Sequence, residues 1–394
     1  MSIRRLFYSA LAVLAISLPL VQQSTAQVPC GPTITPPPTL SVNWPQFRFD
    51  PKHSGCNPYE FILSPATVGN LVLDWQYATG NSSGASSPAI ANGVVYVGSW
   101  NGNVYALTAG TGILRWEYAT GSNVYSSPAV ANGVLYIASV AFPNTLYALN
   151  AATGALLWQY TPGLFVYSSP AVANGVVYIA SVDNNVYALN ASTGALLWKY
   201  TTGSAVVSSP AVANGVVYVG SDDINLYALN ASTGALLWKY TTGSAVVSSP
   251  AVASGVVYVG SDDSNLYALN AATGALLWKY ATGGYIESSP AVANRVVYVG
   301  SDDSNLYALN ASTGALLWKY TTGSASVSSP AVANGVVYVG SDDNNLYALN
   351  ASTGALLWKY ITGNYVSSSP AVANGMVFVE SWDGYLYSFH LPHQ

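Results

Sequence analysis

From Ser328 to Tyr360 the chain reads SSPAVANGVVYVGSDDNNLYALNASTGALLWKY, four short apolar runs separated by polar turn residues. In the copy that begins at Ser208, SSPAVA leads to the pair Asn214-Gly215, and VVYVGS leads to the loop Asp222-Asp223-Ile224-Asn225. LYALN then leads to Ala231-Ser232-Thr233-Gly234, and ALLWKY closes the unit. Runs rich in Val, Tyr and Leu, bounded by Asn-Gly and Thr-Gly signals, predict four strands joined by tight turns. Helix is the competing reading of ALNASTGALLWKY, since Ala and Leu are good helix formers. Asn and Gly every few residues, beside β-branched neighbours, oppose it. The proline opens the first run and the lysine of WKY lies in the fourth. Both suit edge strands: proline lacks a ladder donor, and lysine discourages pairing between sheets.

The unit recurs every 40 residues, marked by Trp158, Trp198, Trp238, Trp278, Trp318 and Trp358, and Trp75 and Trp116 mark two looser copies. Four antiparallel strands in a period of this size predict one blade of a β-propeller. A β-solenoid is the rival, but its coils are shorter and need fewer turns. Eight SSPA segments carry prolines at 88, 128, 170, 210, 250, 290, 330 and 370, and the eight tryptophan strands are offset from them. LVLDWQY precedes the first SSPA segment, and the unit from Ser368 to His390 ends after three strands. The N-terminal strand therefore completes the last blade. The prediction is all-β: an eight-bladed β-propeller of four-stranded antiparallel blades over residues 67–390, closed by its N-terminal strand, with a tail at 391–394.

Composition sharpens this picture. Of 394 residues, 51% are apolar and 7% charged, so nearly all strands must be buried on both faces. The apolar runs are too short to cross a bilayer except at residues 1–26. There Arg4 and Arg5 precede LFYSALAVLAISLPLV, and Ser24-Thr25-Ala26 offers small residues at a cleavage position. This predicts a secretory signal peptide and an exported chain, periplasmic or extracellular, that does not span the membrane once mature. Ile3 before the arginine pair and the Leu-rich core oppose a twin-arginine signal. Residues 27–66 read as a Pro-rich linker and N-terminal lead-in segment. Cys30 and Cys56 are the only cysteines, an even pair in an exported chain, which predicts a disulfide. Gln27-Val28-Pro29 makes Cys30 a poor lipidation site. The net charge of −5 argues against nucleic acid as a partner.

Ala188, Asn190, Thr193, Gly194 and Trp198 form the pattern A-x-N-x-x-T-G-x-x-x-W, which recurs around the chain. Gly supplies positive φ in the turn, and Asn and Thr bond its backbone. The tryptophans Trp75, Trp116, Trp158, Trp198, Trp238, Trp278, Trp318 and Trp358 are expected to dock each blade on its neighbour. This pattern resembles the tryptophan-docking motif of the pyrroloquinoline quinone (PQQ) β-propeller repeat family. Trp44-Pro45-Gln46-Phe47-Arg48 and LSPATVGNLVLDWQYATG are similar to that family's N-terminal lead-in, so the resemblance covers residues 44–390. The family includes eight-bladed quinoprotein dehydrogenases and the non-enzymatic outer-membrane assembly factor BamB.

The resemblance implies, for the enzymes, a PQQ pocket, a Ca²⁺ held by Glu, Asn and Asp, a catalytic Asp, and often a disulfide between adjacent cysteines. This chain has no adjacent cysteines, and Glu287 and Glu380 are its only glutamates after Glu117. It also lacks the long insertions that build the enzyme pocket. Its histidines, His53, His390 and His393, lie outside the repeats, and it holds no hydrolase elbow, zinc motif or phosphate loop. The repeated SSP serines and the Asn-Ala-Ser tripeptides read as strand-start and turn residues.

In an up-and-down blade, the first-to-second and third-to-fourth turns share one face. These carry VANG and N-A-S-T-G, almost unchanged between copies. The other face carries the variation, in connections reading NSSGA, SNVY, LFVY, SAVV, SAVV, GYIE, SASV and NYVS. It gathers the candidate binding residues Trp100, Tyr125, Phe142, Phe165, Tyr167, Tyr285, Glu287, Tyr365 and Trp382. Exposed aromatics favour contact with protein or carbohydrate. Ten of the sixteen acidic residues lie in the second-to-third loops of that face: Asp183, the pairs 222–223, 262–263, 302–303 and 342–343, and Asp383. They read as repeated Asx-turns, with attraction of Ca²⁺ or a basic partner as the alternative.

The sequence thus predicts a monomeric, non-catalytic binding or assembly scaffold with no cofactor or metal. Its expected partner is another envelope or extracellular protein. A PQQ- and Ca²⁺-dependent dehydrogenase and a carbohydrate-binding propeller are the alternatives.

Overall fold

A computed structural model describes residues 43–80, 86–140 and 144–392. Eight sheets form the blades, at residues 89–119, 129–160, 171–201, 211–241, 251–281, 291–321, 331–361 and 371–390, numbered here first to eighth. Val72–Ala78 supplies the outer strand of the eighth blade, pairing antiparallel with Tyr385–His390. The ring is closed as the offset of the repeats predicts. No helix among the described residues is long and apolar enough to cross a membrane.

The fourth blade shows why this sequence makes this unit. Its strands are Ala211–Ala213, Val216–Gly220, Asn225–Asn230 and Leu236–Thr241, from the axis outward. Asn214 and Gly215 both take positive φ, 51° and 77°, the two-residue turn whose twist matches the strands it joins. Val217, Val219, Leu226, Ala228 and Leu229 have no exposed surface, because neighbouring blades cover both faces of the sheet. Side chains of each blade interdigitate with those of the next, so the core is a series of layers between blades. A bulge between Ala228 and Leu229, opposite Leu236 and Trp238, recurs in the outer strand pair of every blade. An extra residue there re-aims the side chain that follows it.

That side chain is the tryptophan. Trp238 Nε1 donates to Ala271 O of the next blade at 3.0 Å. The same bond joins Trp75 to Ala109, Trp116 to Ala151, Trp158 to Ala191, Trp198 to Ala231, Trp278 to Ala311 and Trp318 to Ala351. Trp358 donates to Leu71 O, which stands in for the missing turn of the eighth blade. The indole lies over the turn glycine of its neighbour: a Cβ built on Gly274 would meet Trp238 Cδ2 at 2.7 Å.

The lead-in segment fills the channel. The innermost strand of a blade has a row of donors with no strand to receive them. Trp44 exchanges two backbone bonds with Ile90 of the first blade, and Pro45 O accepts from Val130 N of the second. Gln46 Oε1 accepts from Val172 N of the third. Pro51, Lys52, Ser54 and Gly55 carbonyls accept from Val212, Val252, Val292 and Val332 N, and Asn57 Nδ2 donates to Val372 O of the eighth. Fourteen consecutive positions, 44–57, thus touch every blade in turn. Cys56–Asn57 also adds a short parallel strand beside Val332 and Ala333. Glu60 Oε2 accepts from Gly375 N, and Asn334 Nδ2 donates to Leu63 O, so the segment covers the invariant turns of the last two blades. Burial of Arg48 brings its guanidinium pKa down to about 9, and Nη1 donates to Pro330 O. Burial, and then the Arg48 charge, holds the His53 imidazole down at about 3.

Candidate functional site

The two serines of each SSP segment do different work. The first ties its blade together, as Ser208 Oγ accepts from Gly220 N twelve residues on, and in three blades it also donates to the next, as Ser248 Oγ does to Ser288 O. The second bonds between blades. Ser209 N donates to Ser249 Oγ, and the same bond runs from Ser87 through Ser127, Ser169, Ser209, Ser249, Ser289, Ser329 and Ser369 back to Ser87. Eight hydroxyls thus make one closed ring about the axis. With Phe47 of the lead-in segment, they line the floor of a cavity of about 610 Å³ that opens on the variable face.

The residue before each SSP forms the wall. Those that line the cavity are Tyr125, Tyr167, Val207, Val247, Glu287, Val327 and Ser367, one from each of the second to eighth blades. The second and third blades make an aromatic side. Tyr125 meets Tyr167 edge-on with centroids 5.3 Å apart, and Trp100 and Phe165 extend the surface at 6.2 and 6.3 Å. Opposite stands Glu287. Burial pushes its carboxyl up, with the charges of Asp302, Asp262 and Asp342 adding to the shift. The Tyr125 phenol is also pushed up, by burial first and then by Glu287.

The Asp-Asp pairs divide into two roles. Asp223 Oδ2 accepts from Gly203 N and Tyr227 Oη, and Oδ1 accepts from Asn225 N, an Asx-turn tied to the preceding connection. Burial raises its pKa, but these bonds outweigh burial and hold it below the usual range. Asp263, Asp303 and Asp343 behave alike. The first members, Asp222, Asp262, Asp302 and Asp342, are instead pushed up by burial first, then by the charge of the neighbouring second member and, for Asp262 and Asp302, by other first members. Among the described residues no three Asp, Glu, His or Cys side chains gather in a way that could hold a metal ion.

Trp100, Tyr125, Phe165, Tyr167 and Glu287 therefore meet at the cavity. Tyr285 and Tyr365 stand on the outer surface, 55% and 44% exposed, with Tyr365 against Trp382 at 5.8 Å. Phe142, Cys30 and the 1–26 segment lie outside the described residues, while Cys56 is buried beside the seventh blade. Phe47 and the second serines were not among the sequence candidates. Aligning the copies by position would have found the serines, whereas nothing periodic marks Phe47. Glu380 was also passed over. It replaces the Gly or Ala that ends the second strand elsewhere, is fully buried, and accepts from Thr79 Oγ1 at 2.8 Å. Burial pushes its carboxyl up to about 8.

No curated protein matches the chain. Among solved structures, BamB from Moraxella catarrhalis superposes with a TM-score of 0.71 at 19% identity, covering 81% of this chain and 99% of that one. A europium-containing methanol dehydrogenase gives a TM-score of 0.78 at 14% identity, covering 89% and 98%. The quinohemoprotein alcohol dehydrogenase ADHIIG from Pseudomonas putida HK5 gives 0.78 at 17%, covering 93% and 83%. At these identities the likeness shows the shared fold alone. A family profile matches residues 67–170, 144–250, 241–329, 281–363 and 322–391. With its repeats matched over most of its length, the chain belongs to the PQQ-type propeller family described as outer membrane protein assembly factor BamB.

Proposed function

We propose that this protein is an exported, non-catalytic scaffold that captures another envelope or extracellular protein on its variable face. The observation that carries this reading is the contrast between the two faces. One face is made of near-identical turns, and the lead-in segment stops the channel below it. The other opens into a bowl walled by residues that differ from blade to blade. A binding surface needs such variation, because eight identical loops cannot specify one partner. The BamB likeness supports an assembly role in the envelope. We propose no resident cofactor.

The dehydrogenase alternative requires a pocket that holds PQQ. PQQ is a tricarboxylate, and the residues lining the bowl include Glu287 and no lysine or arginine. An acidic wall repels such a group. The residues of the bowl do not fit it. Dye-linked alcohol oxidation after addition of PQQ and Ca²⁺ is the check, and turnover would overturn the scaffold reading. The positive test is cross-linking and affinity capture from the envelope fraction. The combined Tyr285→Ala, Tyr365→Ala and Trp382→Ala variant should lose the captured protein and keep its melting temperature. Unchanged capture would sink the proposal.

A further inference from the structure

We infer that the axial bowl receives the cationic end of a lysine or arginine side chain presented by the partner protein, seated between Glu287 and the Tyr125–Tyr167 wall. This rests on the scaffold reading above and names what its site would hold. Tyr125 belongs to the second blade and Glu287 to the sixth. In a ring of eight they face each other across the axis, and the phenol senses the carboxylate there.

Glu287 lines the bowl without a counterion: among the described residues it makes no salt bridge. Asp262, Asp302 and Asp342 stand close enough to deepen the negative potential. Lys199, Lys239, Lys279, Lys319 and Lys359 sit on outer strands, at the far edge of their blades, and the cations of the lead-in segment, Arg48 and Lys52, do not line the bowl. A low-dielectric cleft of one sign concentrates ions of the other.

The opposite wall suits the same ligand. Trp100, Tyr125, Tyr167 and Phe165 form one continuous aromatic surface through ring contacts of 5.3–6.3 Å. Ring faces attract a desolvated ammonium or guanidinium and also cover an alkyl stem. Val207, Val247 and Val327 complete an apolar collar. At the floor each serine Oγ accepts one backbone N–H, which leaves a lone pair for a donor descending from above. The bowl is blind, since Phe47 and the lead-in segment close it below. It therefore fits a side chain that enters and stops, not a chain that threads through. A carboxylate or phosphate would meet Glu287 in repulsion. A neutral sugar would gain nothing from the charge.

The test is titration calorimetry with blocked peptides identical except for a central Lys, norleucine or Glu. The Lys peptide should bind at least tenfold more tightly than norleucine, and the Glu peptide should not bind. Glu287→Gln should bring the Lys peptide to the norleucine level and leave norleucine unmoved. Added salt should weaken the Lys peptide alone, which gives a readout on the natural chain. Equal affinity for Lys and norleucine, an unchanged Lys affinity in Glu287→Gln, or a neutral oligosaccharide binding in the bowl in place of the Lys peptide would overturn the inference. If the Lys peptide fails to bind while the Tyr285, Tyr365 and Trp382 substitutions still abolish partner capture, the inference falls and the scaffold reading stands. If the Lys peptide behaves as expected but no partner is captured, the reverse holds.

Discussion

Two glycines of the fourth blade allow backbone strain and tryptophan docking to be measured apart. Gly215 has φ +77° and nothing within 4 Å of where a Cβ would stand. Gly234 has φ +73°, and its Cβ would lie 2.8 Å from Cδ2 and Cε3 of Trp198 in the preceding blade. Alanine in this left-handed region costs about 1–2 kcal/mol, partly offset because alanine narrows the unfolded ensemble by about 0.4–1 kcal/mol. Gly215→Ala should therefore destabilise by about 1 kcal/mol. Gly234→Ala carries the same term and must also displace the indole. Overpacking of this kind adds about 1–3 kcal/mol. Moving the ring also threatens the 3.0 Å bond from Trp198 Nε1 to Ala231 O, worth about 1 kcal/mol. The expected gap between the variants is about 2 kcal/mol, read as a shift in urea midpoint at constant slope. In a Trp198→Ala background the gap should vanish, since nothing remains to collide with. Equal destabilisation by the two alanines in the natural background would refute the docking argument. So would a gap that survives removal of the tryptophan.

Other consequences are as direct. Arg295 holds the place of the turn glycine in the sixth blade at φ +64°, so Arg295→Gly should raise stability by about 1 kcal/mol in urea unfolding. Trp238→Phe keeps an aromatic ring but loses the bond to Ala271 O, and should cost about 1 kcal/mol or slightly more by the same measurement. Glu380 titrates at about 8 when folded against 4.5 in its ordinary state, so above pH 4.5 the unfolded chain binds fewer protons than the native one. Stability should fall by about 1.4 kcal/mol per pH unit as pH rises through that window and level off above it. Glu380→Gln should abolish this slope in thermal melts, and parallel slopes in the two proteins would show that the carboxyl ionises freely.

The architecture was legible because the repeat prints each structural decision eight times. Asn214-Gly215 gives the turn, the proline of SSP gives the inner edge, and the displaced LVLDWQY gives the closure. The variable face was legible for the complementary reason, since only there do the copies disagree. What could not be read were features formed once. Phe47, Arg48 and His53 lie in a segment without periodicity, and their placement depends on eight inner strands converging at an axis that no local pattern reveals. Nor does the sequence separate the two members of an Asp pair. Asp222 and Asp223 are neighbours in the chain, yet only the second meets Gly203 and Tyr227, because the connection from the third blade passes on its side. Tyr285 and Tyr365 stand outside the cavity, which selects Tyr125, Tyr167 and Glu287 from the candidates by position alone.

The lead-in segment also sets a timetable. A chain synthesised from its N-terminus delivers residues 44–57 well before the blades they bridge, so Asn57 must wait for Val372, and Val72–Ala78 must wait for Tyr385–His390. Neither can be satisfied until more than three hundred further residues have emerged. This early segment is thus among the last to be fixed. Contacts this distant in sequence are slow to form, so the unfinished chain keeps its inner edges open. Loss of the last dozen residues would leave Val72–Ala78 without the strand it pairs with, and the ring without its closure.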